Sequence, residues 1–321
     1  MNGEKLHVNV VAPLTPAIER VKTMLFRSFD PGKWFVIGFC AWLAGLGWPR
    51  GGGGIRTGGG PSFRGGHPDL GEIMGKARGY LGVALDYAQA NLYWILPTAV
   101  VVLALAVLIT WLSSRGRFMF LHCVVGNKAE VALPWKRFRQ HGNSLFVFRI
   151  VLGLISLAAV GAAVYTGVLL FAGAAMTGSG GAAVLVVVAV FVSMVVLGIV
   201  LSIIHKLTTD FVIPIMFLRT ESCPAAWREF LGMLSANIGH FALYILFQIV
   251  IWFAIGILIL AAACLTCCCA ACLLGIPYVG TVLLLPIYIF HRSYTLYYFR
   301  QYGPSVDVFR TVEPEVLPES E

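Results

Sequence analysis

Residues 182–204 read AAVLVVVAVFVSMVVLGIVLSII, with no charged side chain and with Ser193 and Ser202 as the only hydroxyls. A helix rises about 1.5 Å per residue, so about 20 apolar residues cross a hydrocarbon layer about 30 Å thick. This run is long enough, and no face of it is polar enough to meet water. It predicts a helix that uses lipid as solvent, and the rest of the chain repeats the pattern. Runs at residues 94–112, 146–175 and 241–274 also qualify, the last being long enough to need tilt or a break. A further run at 278–299 follows the breaker Gly275-Ile276-Pro277 and ends among tyrosines that suit the headgroup layer. Residues 34–48 are short for a crossing and read first as a sixth span through thin membrane, with a re-entrant hairpin or an interfacial segment as the alternatives. The expected fold is all-α, a polytopic transmembrane helix bundle of about six spans.

Composition agrees. Of 321 residues, 59% are hydrophobic and 12% charged, with a mean hydropathy of +0.84. That leaves too little polar surface to cover a soluble core. The expected organisation is a cytosolic amphipathic segment at 1–33, an integral membrane domain at 34–303 and an acidic cytosolic tail at 304–321. A polar stretch precedes the first apolar run, which has no small-residue cleavage site behind it, so that run is expected to remain in the mature protein. The net charge of +8 is dispersed between the apolar runs, which suits anionic lipid headgroups better than nucleic acid.

Lysine and arginine also set the orientation. With both ends inside, the cytosolic segments hold Lys5, Arg20, Lys22, Arg27 and Lys33, then Arg115 through Arg139, then Lys206, Arg219 and Arg228, then Arg292, Arg300 and Arg310. The outside keeps Arg50, Arg56, Arg64, Lys76 and Arg78. All five lie between residues 49 and 92. There the Gly-rich part, residues 49–68, is expected to be a flexible external loop, because glycine loses the most backbone entropy on ordering. Leu70, Ile73, Ala77, Leu81, Ala84, Ala88 and Leu92 then follow at helical spacing. Near the start, Thr15 and Pro16 suit a helix beginning whose Ile18, Val21, Leu25 and Phe29 would share one face, an in-plane interfacial helix.

Two cytosolic segments resemble each other, from Arg115 (RGRFMFLHCVVGNKAEVALPWKRFRQHGNSLFVFRI) and from Thr208 (TTDFVIPIMFLRTESCPAAWREFLGMLSANIGHFALYI). Each leaves a span through an aromatic-aliphatic stretch and opens a short helix at proline (Pro134, Pro224). Trp135-Lys136-Arg137 or Trp227-Arg228 follows before the chain re-enters lipid. Two spans separate them, so the expected units are parallel copies of an internal repeat with amphipathic interfacial helices. Tryptophan rings seat at headgroup depth and adjacent cations meet phosphate. Trp135, Lys136, Arg137, Trp227 and Arg228 therefore serve either as membrane anchors or as a contact for a lipid headgroup or a membrane protein partner.

Phe29-Asp30-Pro31-Gly32-Lys33-Trp34-Phe35, the paired Trp segments, Asp210-Phe211-Val212-Ile213-Pro214 and Tyr298-Phe299-Arg300-Gln301-Tyr302-Gly303 together resemble uncharacterised bacterial membrane proteins. Those are similar to the membrane domain attached to some glycerophosphoryl diester phosphodiesterases. The resemblance implies a bacterial inner membrane location and supplies no catalytic residue, because the soluble phosphodiesterase domain has no counterpart here.

The candidate spans are nearly empty of ionisable residues, which are the usual mark of ion-coupled transport. Arg149, His240, His291 and Arg292 sit near span ends. Lys206 and Asp210 have helical ion-pair spacing, which reads as a solvated pair at a helix end or, beside Pro214, as a gate or headgroup site. Cys264, Cys267, Cys268, Cys269 and Cys272 read as small packing residues, as thiols for a disulfide or acylation, or as a metal cluster, the compact spacing being poor for zinc. No phosphate-binding glycine motif, zincin motif or nucleophile elbow occurs. No catalytic, cofactor or metal site is expected. The expectation is a non-enzymatic scaffold or accessory subunit of a membrane or lipid-associated complex, with a permease or lipid-handling transporter as the alternative.

Overall fold

The computed structural model describes residues 8–27, 29–46, 83, 86–87, 89–176, 180–219, 221–266 and 275–311. The Gly-rich loop, most of the helix expected at 69–92, Cys267 to Cys269, Cys272 and residues 312–321 lie outside the described residues. Among those described there is no strand. In chain order the helices are α1 Leu14–Val21, α2 Pro31–Gly45, α3 Leu92–Gly126, α4 Ala132–Arg137, α5 Arg139–Met176, α6 Gly180–Leu207, α7 Ile213–Arg219, α8 Cys223–Ala236, α9 Ile238–Leu265, α10 Pro277–Leu283 and α11 Leu285–Arg300. Single π-helical turns follow α1 (Lys22–Phe26) and join α6 to α7 (Thr208–Val212).

Four helical stretches are long and apolar enough to cross a membrane: Leu92–Gly126, Arg139–Ala174, Gly181–Arg219 and Ile238–Leu265. The most apolar windows of the first and third bury none of their residues inside the protein. Water-soluble surfaces do not carry contiguous apolar area on that scale, so these faces are built for lipid. At 15 residues, α2 rises only about 22 Å. The last apolar run is broken in two at Leu284. The cause is Pro286, which has no N–H for the Val282 carbonyl four residues earlier. That carbonyl instead accepts from the indole Nε1 of Trp34 at 2.9 Å.

The chain divides into two compact units. One comprises Met1–Leu46, Thr110–Leu152 and Leu201–Glu321; the other comprises Gly47–Ile109 and Gly153–Val200. In the second unit, α5 and α6 meet where a Cβ on Gly167 would lie 2.5 Å from Val190 Cγ2. Many of its large apolar side chains are exposed, Leu185 and Phe191 among them, while Ala174 and Ala183 are buried.

The first unit holds the core. Phe211 lies at its centre, stacked on Phe230 at 5.3 Å and edge-on to Phe241, Tyr244 and Phe299. Helix α1 packs against α11, and α2 against α10. The inward face of α1 and its π turn is Ala17, Val21, Met24 and Leu25, while Ile18 and Phe29 point outward, unlike the expected Ile18-Val21-Leu25-Phe29 face. The π turn, closed by Arg27 N–H on Lys22 O, inserts an extra residue and shifts the pattern downstream. Thr15 and Pro16 lie inside the first turn, the helix starting at Leu14. Gly116 lets α3 touch α2, since a Cβ there would stand 2.7 Å from the backbone at Leu43 and Ala44.

The stretch Phe29–Phe35 holds the start of α2. Asp30 Oδ1 accepts from Gly32 N–H at 2.9 Å with Pro31 at the first helical position, the expected chemistry of a helix start. Arg20 and Lys33 close the C-terminal end of α3, donating to Val124 O, Val125 O and Asn127 Oδ1. At the end of α11, Gly303 takes φ +130°, a conformation a side chain would strain.

Candidate functional site

Two places in the first unit gather polar side chains. The first surrounds α4. Arg115, read from sequence as part of a loop, continues helix α3 and is buried. Its guanidinium lies 4.2 Å from the centre of the Trp111 ring and 5.0 Å from that of Trp135, and the two rings meet edge-to-face at 6.0 Å. Asn143 Oδ1 accepts from Arg115 Nη2 and from Trp111 Nε1. The cation is thus held between two aromatic faces, a desolvated cation–π arrangement. Lys136 and Arg137 are exposed beside it and line a shallow surface hollow with Ala132 and Leu133.

The second Trp-bearing helix, α8, differs. Trp227 is half-buried between Phe148 and Phe230, and its Nε1 is buried without a partner. Arg228 is exposed, while Glu229 is held by Arg219 at 2.6 Å. Burial pushes the neighbouring Cys223 thiol up to about 12, so it stays protonated at neutral pH.

The second gathering is internal. Asp210 is only 6% exposed, so the ion pair expected to be solvated at this helix end has a buried carboxylate, with Lys206 half-buried. Lys206 Nζ reaches Asp210 Oδ2 at 2.7 Å. Tyr244 donates to the same oxygen at 2.9 Å and accepts from Gln248 Nε2 at 2.9 Å, and its hydroxyl also lies 2.9 Å from Thr295 Oγ1. The widened turn at Thr208–Val212 precedes Pro214, whose missing N–H leaves the Asp210 carbonyl without its usual acceptor role. The same turn presents Thr209 to two buried arginines. Arg117 Nη1 donates to its hydroxyl at 2.8 Å, and Arg292 Nη1 to its carbonyl at 2.6 Å. Arg117 Nη2 lies 3.0 Å from His205 Nε2; guanidinium cannot accept, so that ring nitrogen does. Arg149 donates through Nη1 to Thr110 O, Ser113 Oγ and Ser114 Oγ.

Of the six residues singled out in the sequence, Trp135, Lys136 and Arg137 share one short helix and Trp227 and Arg228 another, while Asp210 belongs to the internal network. Arg115, Arg117, Tyr244, Gln248 and Thr295 were not anticipated. Arg115 and Arg117 looked like topogenic loop charges. The signal for them was the unbroken helix-forming sequence between residues 112 and 126, free of proline and with Gly116 as its lone glycine before Gly126. Among the described residues no group of three His, Cys, Asp or Glu side chains is placed to hold a metal.

Residues 8–292 match the family of unknown function designated DUF7544, and the chain belongs to that family. No curated protein and no solved structure matches it.

Proposed function

We propose that the chain is a non-enzymatic integral membrane protein, a scaffold or accessory subunit of a membrane or lipid-associated complex, with α4 as its principal contact. The carrying observation is a division of labour among the cations at α4. Arg115 is locked between Trp111 and Trp135, whereas Lys136 and Arg137 are exposed on the short helix that carries Trp135, Arg137 lying 5.6 Å from the centre of the Phe138 ring. A locked anchor beside exposed cations suits recognition of anionic headgroups or of an acidic face on a membrane protein partner.

In this reading the chain makes six crossings in a bacterial inner membrane with both ends in the cytosol, α2 and the α10–α11 pair adding to the four long helices. The lysine and arginine distribution supports that orientation. The order long helix, short Trp-bearing helix, long helix occurs at α3–α4–α5 and again at α6–α7, α8 and α9, which supports a parallel repeat.

The test is the double substitution Trp135→Ala with Trp227→Ala. Loss of a stoichiometric partner or of enriched anionic lipid from the purified protein is expected, with membrane insertion retained. An unchanged set of companions overturns the reading. A permease or lipid-handling transporter is favoured instead by one observation, the buried Asp210–Tyr244–Gln248 chain with half-buried Lys206 at its end, since such groups in apolar helices mark solute and proton pathways. Transport of a solute by the protein reconstituted alone, abolished by Asp210→Asn, would establish it.

A further inference from the structure

The cations around the Thr208–Val212 turn outnumber the anions. Arg117 lies within electrostatic reach of Arg149, Arg292 and Asp210, and His205 within reach of Arg117, Arg149 and Lys206. Asp210 is the one carboxylate acting on Arg117 and Arg292 among the described residues. Lys206 already occupies Asp210 Oδ2, and His205 is an acceptor towards Arg117 and therefore neutral. Three positive charges remain without a counter-charge. Arg117 and Arg292 are 7% and 8% exposed. Taking a guanidinium out of water costs several kcal/mol, roughly, and it cannot escape by losing its proton.

The donors are also incompletely used. Arg292 Nε is buried with no acceptor, and the three hydrogen bonds of Arg149 all leave from Nη1. Both arginines are held by neutral oxygens on the protein, which orient them without cancelling their charge. The cluster is open on one side, because Arg149, His205, Lys206 and Thr209 are only half-buried. A tetrahedral oxyanion suits what remains: several acceptor oxygens, more than one negative charge, and paired oxygens that match the guanidinium fork.

We propose that Arg117, Arg149, Arg292 and Lys206 form a binding site for a phosphate group, carried by a phospholipid headgroup or by a soluble phosphate. The site is separate from α4 and does not depend on the contact role proposed for that helix. With both chain ends in the cytosol it sits at the cytosolic ends of α3 and α6, at inner-leaflet headgroup depth, which either source can reach. Asp210 tethers Lys206 and keeps the site from being uniformly repulsive when empty.

The experiment uses the full chain in an uncharged detergent. One arm reconstitutes it with phosphatidylcholine containing or lacking phosphatidylglycerol and counts the phospholipid retained after washing; the other titrates inorganic phosphate and follows thermal unfolding. Arg117→Gln and Arg292→Gln are compared with wild type and with Arg139→Gln, an exposed arginine outside the cluster. The expected result is one retained phosphatidylglycerol, or saturable stabilisation by phosphate, weakened about tenfold or more by each cluster substitution and unchanged by Arg139→Gln. Retention of phosphatidylglycerol without an effect of phosphate assigns the lipid source, and the converse assigns the soluble one. If wild-type protein binds neither probe, or if the cluster substitutions bind as wild type does, the proposal is overturned. The wild-type arm decides this even if the substituted proteins fail to fold.

Discussion

Helices α4 and α8 look alike in sequence, each opening near a proline and presenting tryptophan followed by a cation, yet they are built to different ends. Around α4 the long neighbouring helix places Arg115 against both Trp111 and Trp135, and Lys136 and Arg137 stay exposed. Around α8 the tryptophan is packed against phenylalanines, and Glu229 ties Arg219 to the helix. Helix α8 is also the longer, 14 residues against 6, and buries Cys223, Ala226 and Phe230. The lesson is that matching short motifs do not make matching surfaces. What each helix can offer is decided by the residue that the adjoining long helix places beneath it.

The largest expected effect tests the sandwich. Arg115→Ala empties the space between two indoles and removes a partner of Asn143, and it is expected to destabilise the protein by about 2 kcal/mol or more, read from thermal unfolding in detergent. Arg228→Ala, on the exposed side of α8, should stay within about 0.5 kcal/mol. Equal losses would break the distinction between the two helices.

A second effect concerns the floor on which Arg115 stands. Gly116→Ala drives a Cβ into the α2 backbone at 2.7 Å, and overpacking of this kind costs about 1–3 kcal/mol. An unchanged unfolding temperature would show that α3 and α2 do not meet so closely.

Charge gives a smaller effect that separates the helices by function. Lys136→Ala with Arg137→Ala should leave stability within about 0.5 kcal/mol while weakening retention of anionic lipid by about 1 kcal/mol per cation. The corresponding loss for Arg228→Ala is expected to be less. The smallest effect belongs to the Arg219–Glu229 pair, partly exposed on both sides; a double-mutant cycle should return about 0–1 kcal/mol.

The apolar runs were legible because lipid crossing imposes length and composition at once. Residues 182–204 announce a helix on either ground, and α6 covers them. The limits of the runs were less legible, since hydropathy marks where lipid ends and not where the helix does. Helix α3 continues 14 residues beyond the run at 94–112, carrying Arg115 and Arg117 from an expected loop into the packed unit. Pro286 divided the run at 278–299 because a single missing N–H outweighs a favourable apolar pattern. Of the internal network, Lys206 and Asp210 could be paired by their spacing of four. Their meeting with Tyr244, Gln248 and Thr295 could not, because those partners lie 34 to 85 positions beyond Asp210 in the chain, contacts that local patterns do not encode. Asp210 was read as solvated for the same reason: the aromatic layer around Phe211 that buries its turn is assembled from residues 230, 241, 244 and 299.

Helix α4 is, in the proposed role, the face through which this membrane protein meets its partner or lipid. A photocrosslinking side chain placed at position 136 in the full chain in intact membranes tests it most directly, with the same side chain at position 228 and at the lipid-facing position 188 for comparison. The account predicts a discrete adduct of defined mass from position 136, a weaker one from 228, and only scattered acyl-chain adducts from 188. Adducts from 136 that match those from 188 in kind and yield would contradict it.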